Sequence, residues 1–331
     1  MTVRLGICST AHVNAEVYAA LLSKLSDVEL VGISDENVDR GRRRASAVGT
    51  KAMSRSELMR SVEGVVICSP TAIHGELFDL ALVHDVAVLT EKPLATSLSE
   101  AKRLRDRCDE SGIVAGMAMP VRCSRPMIRL KRAYEDGTLG DVVAVSGVNR
   151  GRMPGGWFTN PELAGGGAVM DHTDHIIDVV RWITNEEVED VYAELDTRFY
   201  DIPVEDVNLL SMTLSNGASF VLDGSWSTPL KNPFWGDARV EFVGTDGTLS
   251  ADCFGQRCTH VQDTKQDRSV ESIYWGADPN IELLRDFAES VRTGRQPQTT
   301  LSDAVATVAV MEAAYESAER GEPVEVDTSV I

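Results

Sequence analysis

Between Gly165 and Asp178 the chain reads Gly-Gly-Gly-Ala-Val-Met-Asp-His-Thr-Asp-His-Ile-Ile-Asp. Asp171, His172, Asp174, His175 and Asp178 thus fall within eight residues. An imidazole takes and returns protons near neutrality, and a carboxylate beside it raises its basicity and fixes its orientation. Ile176, Ile177, Val179, Val180 and Trp182 continue the stretch at helical spacing, which predicts a buried helix with the acids and histidines on its first turns. There Asp171 and His175, four apart, share a face, as do His175 and Asp178 at three, an arrangement suited to a general base. The three glycines let backbone or ligand come close beside that helix. Two other readings stand beside this one. His172-x-x-His175 with Asp171 has the composition of a three-ligand metal site, although no HExxH pattern or cysteine pair accompanies it. A helix start with acids near its positive end and two surface histidines is the plain alternative.

The elements that must position these groups change character along the chain. Apolar runs at Val3–Cys8, Val28–Ser34, Val65–Ile67, Val86–Thr90 and Ile113–Met117 alternate with helical patterns, including one opened by the capping box Ser97-Leu98-Ser99-Glu100. Strands apolar on both faces, alternating with helices, predict an α/β unit: a doubly wound parallel sheet of the dinucleotide-binding kind over residues 1–121. Beyond a helix around Met127–Tyr134, residues 122–331 read as α+β. Segments such as Val142–Val148, Val191–Phe199, Leu209–Leu214, Ala218–Leu222, Val240–Val243 and Leu249–Cys253 predict a large, mainly antiparallel, open-faced sheet, with a hairpin at Asp246-Gly247. Helical patterns at Ile281–Arg292 and Leu301–Glu319 close the chain.

In a doubly wound unit the first turn carries Gly-x-Gly-x-x-Gly, so that backbone amides reach a pyrophosphate. Here that place holds Ser9-Thr10-Ala11-His12-Val13-Asn14, with small residues at the first two glycine positions. Ser9 and Thr10 hydroxyls are able to donate to phosphate. Asp35, at the end of the second strand, is placed to accept from the adenosine ribose, and Asp35-Glu36 would repel a ribose phosphate. The expected cofactor is NAD, with NADP possible because Arg40 and Arg42 lie one turn on. Two more stretches, Cys68 to His74 and Thr90 to Ala95, sit at strand ends where this architecture places ligands.

With these stretches assembled, the chain resembles the Gfo/Idh/MocA family of NAD(P)-dependent oxidoreductases. Glu91-Lys92-Pro93 is similar to the family's E-K-P triplet, and Ser69-Pro70-Thr71 through His74 to the loop leading into its next helix. Gly165 to Asp178 matches G-G-G-x-x-x-D-x-G-x-H-x-x-D except at Thr173, where the family often has glycine. Asp136-Gly137-Thr138-Leu139-Gly140 and Gly244-Thr245-Asp246-Gly247-Thr248 resemble family turns of the second domain, so the likeness runs over nearly the whole chain. It implies Lys92 and His175 as the catalytic pair with Asp171 as partner of His175. It also implies a cofactor site drawn from Ser9, Thr10, Ala11, His12, Val13, Asp35, Ser69, Thr71, His74, Glu91 and Lys92. His172 and Asp174, extra polar groups beside the motif, are expected to read substrate hydroxyls. Trp157, Phe158, Phe234 and Trp235 are candidates for an apolar wall against a sugar face. The implied activity is oxidation of a hydroxyl on a sugar, polyol or related ring. An NAD-dependent enzyme that cleaves glycosides by transient oxidation, and a non-enzymatic dinucleotide- or sugar-binding regulator, are the alternatives.

Composition bounds the partners. With 51 acidic against 32 basic residues the net charge is −19, which argues against a nucleic-acid groove or an anionic membrane surface. Lysine is scarce and arginine supplies most of the positive charge, a balance suited to a halophilic source and equally to an ordinary acidic enzyme. Six cysteines form no C-x-x-C pair, and neither a leader nor a membrane-spanning run is evident, so a cytoplasmic protein with reduced thiols is expected. The apolar residues on the second sheet predict a homo-oligomer, dimer or tetramer, joined through that face.

Overall fold

The computed structural model describes residues 2–263 and 268–330. Its first unit runs β1 (Val3–Cys8), α1 (Ala15–Leu22), β2 (Val28–Ser34), α2 (Val38–Ala47), β3 (Lys51–Ala52), α3 (Arg55–Met59), β4 (Gly64–Ile67), α4 (His74–Val83), β5 (Ala87–Thr90), α5 (Leu98–Ser111) and β6 (Ala115–Met117). The six strands form one parallel sheet in the order β3-β2-β1-β4-β5-β6. Every residue of β4 and β5 is buried, because helices cover both faces. The reversal of strand order between β1 and β4 opens the crevice in which this architecture binds ligands. The capping box expected at Ser97 is half formed. Ser97 caps the Glu100 amide, but the Glu100 carboxylate pairs with Arg103 instead. Full boxes occur at Ser54/Glu57 and Thr300/Asp303.

The second unit contains α6 (Arg125–Glu135), β7 (Val142–Val148), α7 (Pro161–Ala164), α8 (Asp174–Thr184), β8 (Val188–Asp196), β9 (Val207–Leu214), β10 (Ser219–Asp223), β11 (Arg239–Gly244), β12 (Thr248–Asp252), β13 (Arg257–Asp263), β14 (Arg268–Tyr274), α9 (Pro279–Thr293), α10 (Leu301–Arg320) and β15 (Val324–Glu325). Seven strands pair in the order β12-β11-β7-β10-β9-β8-β15. The sheet is mainly antiparallel, with the β11–β12 hairpin turning at Asp246-Gly247, but β7 and β10 pair in parallel. That one parallel pair arises because the excursion through α8, β8 and β9 returns the chain beside β7 in the same direction. The β13–β14 hairpin was not expected from the sequence, where its few apolar residues leave no period-2 stripe.

Two late helices tie the units together. In α9, Leu283, Leu284 and Phe287 share a core with Leu5, Tyr18 and Leu22, so a helix late in the chain packs on the first sheet. From α10, Glu312 accepts the Leu98 amide at 2.9 Å. Between them Arg122 forms a buried, two-pronged bond to Asp178, through Nε at 2.9 Å and Nη2, and reaches Asp303 at 3.1 Å and the Gln298 carbonyl at 2.9 Å. Asp178 is therefore a structural anchor and does not back His175. The outer face of the second sheet leaves Val143, Leu209 and Val221 exposed among serines, threonines and acids. Among the described residues no helix is long and apolar enough to cross a membrane.

Candidate active site

The expected helix from Gly165 does not form as a continuous α-helix. Gly165 takes φ +85° as the left-handed cap of α7. At Gly167 any Cβ would strike the Glu205 carbonyl, and Glu205 accepts the Gly167 amide at 3.0 Å and the Val169 amide at 3.0 Å. The three glycines thus bring backbone against Thr96, Tyr315 and Glu205 in turn. The next turn, Val169–Thr173, is π-helical and leads into α8. A π turn carries an extra residue per hydrogen-bonded loop, so the four-residue relation of Asp171 and His175 no longer places them on one α-helical face.

The consequence is a different set of partners for Asp171. Its Oδ1 accepts from Lys92 Nζ at 2.7 Å, its Oδ2 accepts from the Trp226 indole at 2.8 Å, and His172 Nε2 lies 3.2 Å from Oδ2. Lys92 also donates to the Asp171 backbone carbonyl. Asp171 therefore holds Lys92 and His172, where the sequence pattern assigned it to His175. Burial alone would raise the Asp171 carboxyl, but Lys92 and His172 hold it well below the usual carboxylate range. Burial alone would lower the Lys92 ammonium, but Asp171 and Asp174 hold it above the usual lysine range. At neutral pH the pair is an ammonium and a carboxylate.

Lys92, Asp171, His172 and His175 line a cavity of about 560 Å³ between the two units. His12, Val13 and Asn14 close it from the first unit, and Arg152, Phe158, Phe234, Trp235, Phe254 and Tyr274 from the second. Of the His175 ring nitrogens only Nδ1 is fully enclosed, and it has no hydrogen-bond partner. Burial, then Lys92 and His172, hold the His175 imidazole well below its usual range, so it is neutral. His172 lies edge-on to Trp235 at 5.9 Å, on the same cavity as His175 and not turned away from it. Among the described residues no cluster of three or more side chains is arranged to hold a metal ion.

Several expected contacts fall elsewhere. Asp174 does not line the cavity: it is wholly enclosed at the start of α8, with neither carboxylate oxygen hydrogen-bonded. Burial pushes its carboxyl up to about 8, so it is protonated at neutral pH. Between about pH 4, the ordinary value, and about 8 the folded chain holds a proton that the unfolded chain has lost, so stability falls as pH rises. Asp174→Asn is accordingly expected to match wild type in thermal melting at the acid end of that window and to exceed it at the alkaline end. A difference that stays flat across the window would refute the assignment. Trp157 does not line the cavity of about 560 Å³: it stacks on Phe158 at 3.9 Å, donates to the Ala11 carbonyl at 3.1 Å, and so clasps the β1–α1 loop. His74 is pinned between the Leu94 and Ser69 carbonyls at 3.2 and 3.3 Å, out of a cofactor's reach, and burial lowers it to about 4. It fixes the segment that carries Lys92. Ser69 is buried, its hydroxyl turned to the Pro70 carbonyl at 3.1 Å, and Thr71 lies beside Lys92 and Pro93.

At the β1–α1 loop Ser9 adopts φ +66°, the left-handed conformation in which glycine would be unstrained. Ser9 Oγ donates to Glu36 at 2.9 Å. The Asp35 carboxylate is enclosed, taking the Thr10 amide at 2.8 Å, the Thr10 hydroxyl, the Asn37 amide at 2.7 Å and Arg40 at 2.8 and 2.9 Å. It does not face a ribose directly, and it neutralises Arg40. Glu91 takes Asn14 Nδ2 at 3.0 Å and lies 3.3 Å from His12 Nδ1. The loop fits a dinucleotide: it joins β1 to the start of α1, its side chains are mostly small, and the buried His12 Nε2 has no partner.

Residues 3–119 match a model described as the oxidoreductase family with NAD-binding Rossmann fold, and residues 127–250 match the GFO/IDH/MocA C-terminal domain. The chain belongs to the Gfo/Idh/MocA family of oxidoreductases. It is 26% identical to the myo-inositol 2-dehydrogenase of Thermotoga maritima over 98% of both chains. It is 28% identical to an NADP-named D-xylose 1-dehydrogenase of Haloferax volcanii over 81% of each. Among solved structures, GenD2 of gentamicin A biosynthesis, in complex with NAD, superposes with a TM-score of 0.90 at 26% identity, covering 99% of this chain and 97% of that one.

Trp226, Arg122, Phe254 and Tyr274 were not singled out from the sequence. Trp226 follows β10 with no local signature, and only the fold brings its indole to Asp171, 55 residues away. Arg122 was readable only as a charge beside the domain boundary.

Proposed function

We propose that the chain oxidises a hydroxyl of a sugar, polyol or related ring, with NAD in the crevice beside the β1–α1 loop supplying the hydride acceptor when bound. The observation that carries this reading is the convergence of Lys92 and neutral His175 on one cavity between a dinucleotide-binding unit and an aromatic wall. His175 takes the hydroxyl proton through the nitrogen left toward the cavity. Lys92, held by Asp171, stabilises the developing alkoxide from its fixed position. Asp171 is thus a positioning residue for Lys92. Ser9, Thr10, Ala11, His12, Val13 and Glu91 line the dinucleotide's side of the crevice, while Phe234, Trp235 and His172 face the substrate. The activities named for the T. maritima and H. volcanii relatives, on an inositol and on xylose, support this substrate class.

Arg40 is occupied by Asp35 and Glu36, which holds its guanidinium away from a ribose phosphate and favours NAD over NADP. The test is a panel of sugars and polyols with each cofactor, read as absorbance of the reduced nicotinamide. Higher kcat/KM with NAD is expected, and Asp35→Ser should narrow the ratio by releasing Arg40. A wild-type preference for NADP would overturn the cofactor assignment.

The open sheet face, with Val143, Leu209 and Val221 exposed, supports a homo-oligomer joined there. Light scattering at micromolar protein is expected to give a dimer or tetramer, and Val221→Glu to shift it toward monomer. A monomeric wild type contradicts that arrangement. Six unpaired thiols, five of them buried, suit a cytoplasmic location, and the acid-rich, lysine-poor composition suits activity at high salt.

A further inference from the structure

Among the described residues two fixed cations, Lys92 and Arg152, line the cavity, and only Lys92 is neutralised, by Asp171 at 2.7 Å. Arg152 is half-buried and has no carboxylate within ion-pairing distance among the described residues, in a chain where acids outnumber bases 51 to 32. Its Nη2 donates to the Asn232 carbonyl and, at 3.3 Å, to the Phe234 carbonyl, both neutral acceptors. Its Nε is sealed within the protein, so the donors left for a ligand are those of Nη1. Arg150, two residues earlier, shows the contrasting arrangement, with Nε and Nη2 on Asp237 at 3.2 and 2.6 Å. The other carboxylate on the cavity, Asp278, caps α9 and accepts the Asn280 amide and side-chain nitrogen, each at 3.0 Å. Its charge is thus set against the positive end of that helix. A half-buried guanidinium without a counter-ion is costly, and its planar donors suit a carboxylate.

Arg152 also stands on the wall that leads away from the reacting groups. Its amide donates to the Trp235 carbonyl at 3.0 Å. Trp235 lies edge-on to His172 at 5.9 Å, and His172 packs so closely on Gly151 that a Cβ there would fall 2.2 Å from its ring. His172 in turn lies 3.2 Å from Asp171, which holds Lys92. A ring whose hydroxyl meets Lys92 and His175 therefore has Arg152 on its His172 and Trp235 side. Phe234, Trp235 and Phe254 supply apolar surface there and no counter-charge.

We propose that the substrate ring carries a carboxylate that Arg152 binds, so that the substrate is a uronic acid or another sugar acid. The inference rests on the hydroxyl-oxidation reading above and narrows its substrate class. A single unneutralised cation matches the single charge of a carboxylate, whereas a phosphate monoester brings about −1.5 to −2. The carboxylate is a handle only: hydride leaves the carbinol carbon for the nicotinamide and the hydroxyl proton passes to His175, as for a neutral sugar.

The test compares each acid with its own neutral form. D-Glucuronate, D-galacturonate, D-mannuronate and their methyl esters are assayed for reduction of NAD, and their binding to the enzyme–NADH complex is measured by calorimetry. In wild type at least one acid is expected to exceed its ester about tenfold or more in kcat/KM and in affinity, the usual worth of a hydrogen bond to a charged group. Arg152→Gln, which keeps a donor for the Asn232 and Phe234 carbonyls, should abolish that preference, and Arg152→Lys, which keeps the charge, should retain part of it. Thermal melting of the variants controls for folding. No acid bound or oxidised in preference to its ester would overturn the inference. An equal loss on acid and ester in Arg152→Gln would do so too, marking Arg152 as only a prop for the segment of Phe234 and Trp235. Acids bound through Arg152 but never oxidised would uphold it and overturn the oxidation reading instead.

Discussion

Replacing His175 with alanine is expected to lower turnover by about a hundredfold or more, the usual size of a lost acid–base group. The residue lines the cavity beside Lys92, one ring nitrogen enclosed and the other toward the space where a hydroxyl must sit. NADH affinity should change little, because His175 projects from the second unit. His172→Ala makes the informative comparison. His172 leans on Asp171 and Trp235, so its loss should raise KM more than it lowers kcat. Equal damage from both histidines, together with sensitivity to a chelator, would instead favour the metal reading. The pH profile follows with its sign. Burial holds His175 below the ordinary histidine range, so the base form persists as pH falls through that range. The acid limb of kcat/KM therefore lies lower than for an exposed histidine and disappears in His175→Ala.

Replacing Lys92 with methionine should cost about a hundredfold to a thousandfold in kcat, the loss typical of one preorganised donor to a developing oxyanion. It should also destabilise the fold by about 3–5 kcal/mol, because Asp171 keeps a buried charge whose partner is gone. The linkage gives a pH signature. Asp171 is held below its unfolded value, so its share of stability is present above the ordinary carboxylate range and is lost in strong acid. Lys92 is held above its unfolded value, so its share is present below the ordinary lysine range and is lost in strong alkali. The stability gap between wild type and Lys92→Met should accordingly be widest near neutrality and close in strong acid. A Lys92→Met/Asp171→Asn double variant should regain stability without regaining turnover. Recovery of both would show that Lys92 serves only to neutralise Asp171.

The sheet of the first unit was legible because its strands are apolar on both faces and alternate with helices. Glu91-Lys92-Pro93 was legible because it follows a buried strand. The residues of the polar run were legible as a group, but their partners were not. The count of four between Asp171 and His175 presumes an α-helix, and the π turn at Val169–Thr173 breaks it, whereas His175 and Asp178 both lie in α8 and are parted because Arg122 takes the Asp178 carboxylate. Asp171 thus turns to Lys92, 79 residues earlier, and Trp226, 55 later, contacts no local periodicity encodes. Asp35 illustrates a second limit. Its place after β2 was read correctly as a strand end, but the five donors that enclose it come from Thr10, Asn37 and Arg40. The same holds for Asp174, whose carboxyl side chain suggested a polar contact until the fold buried it entirely.

The chemistry proposed for the cavity of Lys92 and His175 is net oxidation of a substrate hydroxyl. Its most direct test takes the best substrate from the sugar and polyol panel and counts reduced cofactor against oxidised product in one reaction. One reduced nicotinamide is expected for each carbonyl formed, with the rate of both lowered about a hundredfold or more in His175→Ala. Substrate consumed with no net gain of reduced cofactor would contradict it, and would point to a glycoside-cleaving enzyme that oxidises only transiently.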